Sequence, residues 1–398
     1  MKLAKLTTII PLLLLVMAGT GCTAGGDGEG TDDPIVIGIA AGYTGFLEGF
    51  DVPAATAAEI AIAEINAAGG ILGRQIKVVT ADTNSDINQG SRAGLEVIEQ
   101  GADLMLVTPD FNFGGGAARE ANTAGIPVIS MGAGSPKFGI EGIGPMAFTM
   151  GAPGTTDGAI MAEWGWDQGF RTAYLLLDDV TDYNKDQCRG FETRWAQLGG
   201  ELLGTDTFKN SDTSVAPQVS RINNLGAQPD LISLCSFPPG GAVAVKQLRD
   251  AGINSAVIGN GAFDGNYWFV DSMPNLSDFY FVTSVSIWGD DPSEKVNQFV
   301  DAYTKKTGKQ PQNIFAYFGY AAVYMLKHAV EKAGSVDGKA VVAAMESLDQ
   351  EPVAGILLTY SDAAHIDVAR EQRVVQVQNG KHSVQDVRSV VVAPPMFE

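Results

Sequence analysis

Two periodicities alternate along this chain. Residues 35–40 (IVIGIA) form a short apolar run with β-branched members and one glycine, the pattern of a strand buried on both faces of a parallel sheet. From Ala54 the apolar residues Ile60, Ile62, Ala63 and Ile65 recur at helical spacing, and Gly69-Gly70, tolerant of left-handed backbone, stop the helix. β-branched residues return over positions 76–80, so the unit is strand, helix, strand with the right-handed crossover that parallel neighbours need. The unit then repeats. Ser85 or Asp86 is placed to cap a helix carrying Ile87, Leu95 and Ile98, which Gly101 ends. Residues 103–108 (DLMLVT) read as a strand, 113–124 as a helix opened by Gly114-Gly115-Gly116, 126–131 (IPVISM) as a strand and 147–150 as a fifth. A doubly wound parallel sheet accounts for this series.

A second series of the same kind starts after Gly151. Residues 155–168 read as a helix with Ile160, Met161, Trp164 and Trp166 as apolar contacts, and 173–177 as a strand running into Asp178-Asp179. Helices over 185–198, 214–225 and 242–250 alternate with strands over 201–208, 231–235 and 255–259. Residues 279–287 form a β-rich crossing segment, followed by helices over 293–307, 314–333 and 336–348. The tail alternates, with 373–378 (RVVQVQ) suited to an antiparallel strand before a turn at Asn379-Gly380. The expected architecture is α/β with two like sheets in succession. In such sheets ligands sit outside the carboxyl ends of the strands, which places residues 41–53 at a binding mouth.

The first 34 residues follow a different pattern. Lys2 and Lys5 precede an apolar core over 9–18, then small residues, the order of a secretory signal ending near Gly21. Gly19-Thr20-Gly21-Cys22 is similar to a bacterial lipobox with glycine where leucine is preferred; it implies lipidation of Cys22, against an ordinary signal with an unrelated cysteine. Residues 22–34 include a Gly-rich acidic stretch with nothing to bury and read as a flexible tether. The formal charge of −20 becomes −22 once residues 1–21, with their two lysines and no acid, are removed. Such a chain repels nucleic acid and anionic membrane surfaces. No second apolar run reaches the roughly 20 residues of a membrane helix.

The stretch IGIAAGYTG followed by IAIAEINAAGGILGRQI resembles the opening of the type I solute-binding proteins of ABC importers, in particular the branched-chain amino acid (Leu/Ile/Val) group. There the first strand ends in a Ser/Thr-Gly loop, here Thr44-Gly45, and the helix closes on an NAxGGIxG turn, here residues 66–73. The resemblance implies two lobes joined by a three-segment hinge, with crossings near Met150, Ser284 and Gly355. Lobe 1 would combine residues 35–151 with 284–356, and lobe 2 residues 152–283 with 357–395. It also implies a lipid-tethered, exported monomer that captures a small solute, presents it to permease subunits, and carries no cofactor and no catalysis.

Site candidates follow from the same resemblance. Asp110, Phe111 and Asn112 stand where the family receives the ligand's carboxylate, and open amides at the start of the next helix favour an anion there, although the glycines read equally as a tight turn. A carboxylate beside Asp110 is unfavourable, and this weakens a simple amino acid ligand. Gly132, Ala133, Gly134 and Ser135 occupy the segment the family writes TPAATAP. Tyr183 matches the family tyrosine that packs on the ligand, and Phe237 and Phe50 stand at two further aromatic positions; each ring could equally anchor a loop. Family amino acid binders place an acid after a second-lobe strand to pair the ligand's ammonium, but here the aligned residue is Gly261, with Asp264 three positions on. Either Asp264 or Asp110 does the pairing, or the ligand has no ammonium, so an amide, polyol or aromatic acid stands beside Leu, Ile or Val.

Other signals point away from chemistry. His328, His365 and His382 have no partners at metal-ligand spacing and read as solvated or capping groups, so no metal is expected. Cys188 falls on a helix and Cys235 at a strand end, which favours two buried thiols over a disulfide formed after export. No nucleophile elbow, P-loop or dinucleotide fingerprint is present. A partner-dependent ligand sensor is the remaining alternative to transport.

Overall fold

The computed structural model describes residues 33–397. The expected signal, Cys22 as the expected site of lipidation, and most of the expected tether lie outside these residues. The first sheet is built from β1 (Ile35–Ala41), β2 (Ile76–Asp82), β3 (Leu104–Val107), β4 (Val128–Ser130) and β5 (Ala147–Thr149), all parallel in the order β2-β1-β3-β4-β5. Its connections are α1 (Glu48–Ala67), α2 (Gly90–Glu99) and α3 (Phe111–Ala124). Strand alternation divides β1 between two cores. Ile35, Ile37, Ile39 and Ala41 join the cluster under α1, while Ala40 joins the one under α2 and α3.

The second sheet starts with α4 (Gly154–Asp167) and β6 (Thr172–Asp178). It continues through α5 (Asp182–Leu198), β7 (Glu201–Phe208), α6 (Ala216–Asn223), β8 (Leu231–Cys235), α7 (Gly240–Asp250), β9 (Ala256–Asn260) and β10 (Phe279–Thr283). The chain then returns: α8 (Glu294–Thr307), α9 (Ile314–Ala333) and α10 (Gly338–Glu346) complete the core of the first sheet, with α9 packed along α1. After the hairpin of β11 (Glu351–Val353) and β12 (Ile356–Leu358) it crosses a third time. There β13 (Gln372–Gln378) and β14 (Lys381–Arg388) add antiparallel strands, giving the order β14-β13-β10-β9-β8-β6-β7. Edge strand β14 is polar at all but Val384 and Val387, and apolar periodicity gives no sign of it.

Several elements differ from the sequence expectation. Helix α1 begins at Glu48, so half of the expected mouth loop is helical and Pro53 lies inside the helix. Proline has no N–H to offer the carbonyl four residues back. That carbonyl, Gly49 O, instead accepts from Asn313 Nδ2 at 2.7 Å. Asn313 is fully buried, and its Oδ1 caps α9 by accepting from Phe315 N–H at 3.2 Å. Ile87 and Leu95 are exposed rather than packed. Helix α2 instead turns its small face to α3, where a Cβ on Gly94 would come within 2.7 Å of the Ala117 Cα. Cys188 and Cys235 form a disulfide, because helix α5 lies against β8 and brings their Cα atoms to 5.7 Å. His365 is buried, stacked on Phe148 with Nδ1 at 2.9 Å from the Ala147 carbonyl, and His382 stacks on Trp288, so neither is a solvated group.

Asp264, fully buried just after β9, joins the two halves of the chain. It accepts from the indole N–H of Trp288 at 2.8 Å. Burial pushes its carboxyl up to about 7, against the pull of Trp288 and the amides of Gly265 and Ile314. The folded chain therefore keeps this proton to near neutrality while the unfolded chain releases it near 3.8. Between those values the folded state holds the extra proton, and stability falls as pH rises.

Two outcomes are expected. Asn313→Ala strands the Gly49 carbonyl and uncaps α9, lowering stability by about 1–3 kcal/mol in denaturant titration. Asp264→Asn keeps an acceptor for Trp288, so its melting temperature should drop less than that of the parent between pH 5 and pH 8. Parallel pH profiles would show that Asp264 is ionised in the folded chain throughout.

Candidate functional site

The carboxyl ends of β3 and β4 in the first sheet face those of β9 and β10 in the second, and a cavity of about 100 Å³ lies between them. One wall comes from Phe50 on α1, Phe113 on α3 and Phe315 and Phe318 on α9; the other comes from Asp157 on α4, Tyr183 on α5, Phe237, Asn260, Thr283 and Gln372. An engineered cavity of about 150 Å³ holds benzene. The space as closed here therefore suits a compact solute.

The structure brings Phe50, Asp110, Gly132, Gly134, Tyr183, Phe237 and Gly261 to this cavity and leaves the other candidates outside it. Thr44 donates Oγ1 to Asp82 at 2.7 Å. Phe111 lies beneath Arg119, whose guanidinium carbon is 5.5 Å from the ring centroid. Asn112 reaches across the two halves, its Oδ1 accepting from Asp182 N–H at 3.1 Å. Ala133 is fully buried with its amide on Ser130 Oγ and its carbonyl accepting from Thr149 Oγ1. Ser135 is buried too, 3.4 Å from Asp186. Asp264 belongs to the Trp288 contact described above.

Helix α3 begins at Phe111 and not at Phe113, and this changes its chemistry. Asp110 is its cap, accepting from Asn112 N–H at 2.7 Å and Phe113 N–H at 3.1 Å. The amides that were expected to be open to an anion carry the chain's own carboxylate. Burial pushes Asp110 up to about 6, while those amides pull it down.

Helix α5 also begins early, at Asp182, capped by Thr181, so Tyr183 sits in its first turn rather than in a loop. Its ring occupies a slot left by two glycines: a Cβ on Gly134 would come within 2.4 Å of the ring and one on Gly154 within 3.0 Å. Its hydroxyl donates to Asp157 Oδ2 at 2.8 Å, and Gln372 Nε2 donates to Asp157 Oδ1 at 3.2 Å. Burial pushes Asp157 up to about 7, with Tyr183 and the charge of Arg370 acting the other way. Arg370 is itself engaged, donating to the Met150 carbonyl and paired with Asp367 at 3.6 Å. Two further polar atoms at the cavity, Gln372 Oε1 and Thr283 Oγ1, are buried without a hydrogen-bond partner.

Rings of both halves meet around Phe50, which makes edge-on contacts with Phe315 at 5.5 Å, Phe237 at 6.3 Å and Tyr267 at 6.5 Å. Phe50 is thus both core and cavity wall. Asp157, Gln372, Thr283, Phe315 and Phe318 escaped sequence reasoning. The available signal was weak: one acid in the apolar stretch GTTDGAIMA, and one glutamine opening the strand QRVVQVQ.

Comparison with known proteins bears on this geometry. Residues 34–381 match the periplasmic binding protein family. Leu/Ile/Val-binding protein homolog 3 of Brucella melitensis biotype 1 is 24% identical over 336 residues, covering 83% of this chain and 88% of the relative. Among solved structures, LivJ of Streptococcus pneumoniae, the substrate-binding protein of a branched-chain amino acid transporter in complex with isoleucine, is 23% identical with a TM-score of 0.80, covering 90% of this chain and 99% of its own. A solute-binding protein of an ABC transporter from Rhodopseudomonas palustris, solved with 3,4-dihydroxy benzoic acid, is 21% identical with a TM-score of 0.78, covering 91% and 99%. Among the described residues no helix is long and apolar enough to cross a membrane. With paired sheets, three crossings between them and a family match that spans most of the described residues, the chain belongs to the periplasmic binding protein family.

Proposed function

We propose that the protein captures a compact solute with an apolar body between two lobes and presents it to the permease of an ABC importer, without altering it. The observation that carries this reading is the shared cavity: neither half alone encloses it, so ligand contact and closure are coupled. The lobes are residues 35–151 with 284–356, and residues 152–283 with 357–395. The moving joints fall near Met150, Ser284 and Gly355. Export by residues 1–21, with Cys22 as a lipid anchor, would keep a monomeric receptor beside its permease.

The cavity wall supports a solute whose body is aliphatic or a single ring. Phe50, Phe113, Phe237 and Phe315 offer flat apolar contact, and the relatives named above include Leu/Ile/Val binders. Solute binding only to the folded, closed form would raise stability by about 2.7 kcal/mol at 100 times the dissociation constant.

The test combines calorimetric melts with small-angle scattering across amino acids, amides, amines, aromatic acids and polyols. At least one solute should raise the melting temperature and reduce the radius of gyration, and Phe237→Ala should weaken that solute by about 1–3 kcal/mol. A chain whose melt and dimensions respond to no small solute is not a receptor of this kind.

A further inference from the structure

Three features of the cavity bear on the charge of its cargo. The first is the Asp110 cap. In the resembled family this segment receives the ligand's carboxylate, but here the first amides of α3 already hold the Asp110 carboxylate at 2.7 and 3.1 Å. The second is the charge of the wall. Asp110 and Asp157 both line the cavity, while no Arg, Lys or His among the described residues does. A ligand carboxylate placed there would meet like charge with no cation in the lining to offset it, which is costly in a buried site. The third is a set of acceptors lacking donors. Gln372 is 1% exposed and Thr283 is 4% exposed, yet Gln372 Oε1 and Thr283 Oγ1 have no partner. The carboxyl of Asp157 stands beside Gln372, held by its Nε2 at 3.2 Å.

Resting on the reading that this cavity holds the transported solute, we propose that the cargo is a small amine: a cationic nitrogen on a compact apolar body, with no carboxylate. The nitrogen is received by Asp157, Gln372 Oε1 and Thr283 Oγ1. An ammonium carries three donors and no acceptor, which matches the three acceptors offered. The body lies against the rings of Phe50, Phe237 and Phe315. Asp110 takes the place that a carboxylate-bearing ligand would have filled, so the chain supplies that negative group itself. Arg370 lies outside the cavity lining, paired with Asp367 and donating to the Met150 carbonyl, although its charge also acts on Asp157.

Matched solutes that share one body and differ in charge test this on the unaltered exported chain. The first set is 3-methylbutylamine, leucinamide, leucine and 4-methylpentanoate; the second is benzylamine and benzoate. By titration calorimetry, at least one amine should bind, its matched acid should not, and leucine should bind at least about 10-fold more weakly than the amine of the same body. Asp157→Asn keeps an acceptor for Tyr183 and removes the charge, so it should weaken the amine by about 10- to 100-fold. Thr283→Val, which removes only the hydroxyl, should weaken it several-fold. Unliganded melting temperatures would show that both variants fold. An acid or leucine binding as tightly as the matched amine, or an amine indifferent to Asp157→Asn, overturns the inference and leaves solute capture standing. If neither these six compounds nor the wider panel bind at all, both the amine inference and the capture reading fall.

Discussion

A carboxylate seated on the first amides of a helix sets the charge at one side of this cleft. The start of α3 has donors without intrahelical partners and the positive end of a helix dipole, and it points into the space between the two sheets. Left open, such a position draws an anion from solution. Asp110 closes it from within, and its negative charge then stands in the cavity wall as a fixed component of the site. The effect reaches the rest of the lining. With Asp157 on the opposite half and no basic side chain among the described residues of the lining, the site has an electrostatic polarity set by the chain. The aromatic walls settle only the shape of what lies inside.

The scaffold that holds these groups depends on the packing of α1 against α9. These helices lie far apart in sequence, with β6 to β10 of the second sheet falling between them, yet they share one core. Asn313 ties their ends together by answering the carbonyl that Pro53 leaves unpaired and by capping α9 with its other side-chain atom. The same helix ends carry Phe50 and Phe315 into the cavity. Core integrity and cavity shape are therefore set at one junction.

How far the sequence could be read depended on whether apolar periodicity was doing the specifying. Buried strands such as β1 and β8, and the long amphipathic helix α9, are visible as runs of Ile, Leu, Val and Ala at the right period. The starts of α1, α3 and α5 are not, because their first turns are polar, glycine-rich or interrupted by proline, and capping by Asp110 and Thr181 depends on geometry that periodicity does not encode. Those first turns are where the cleft lies. Motif matching brought Phe50, Gly132, Tyr183 and Phe237 into view because family patterns mark positions at strand ends. Asp157 and Gln372 lie within a helix and at the head of a late strand, and only the third crossing of the chain places them together. Leu95 misled for the converse reason: α2 meets α3 through glycine and alanine and leaves this leucine on the surface, while Ile87 precedes the helix and is exposed as well.

The slot that holds Tyr183 has an evolutionary consequence. Since the ring fits only while positions 134 and 154 carry no side chain, three residues from separate segments act as one unit. A lineage drifting toward a new solute could not place a side chain at position 134 or 154 and keep this tyrosine rotamer as well. Divergence at this corner of the cleft should proceed by joint replacement, with the aromatic group and its two missing side chains changing together or not at all.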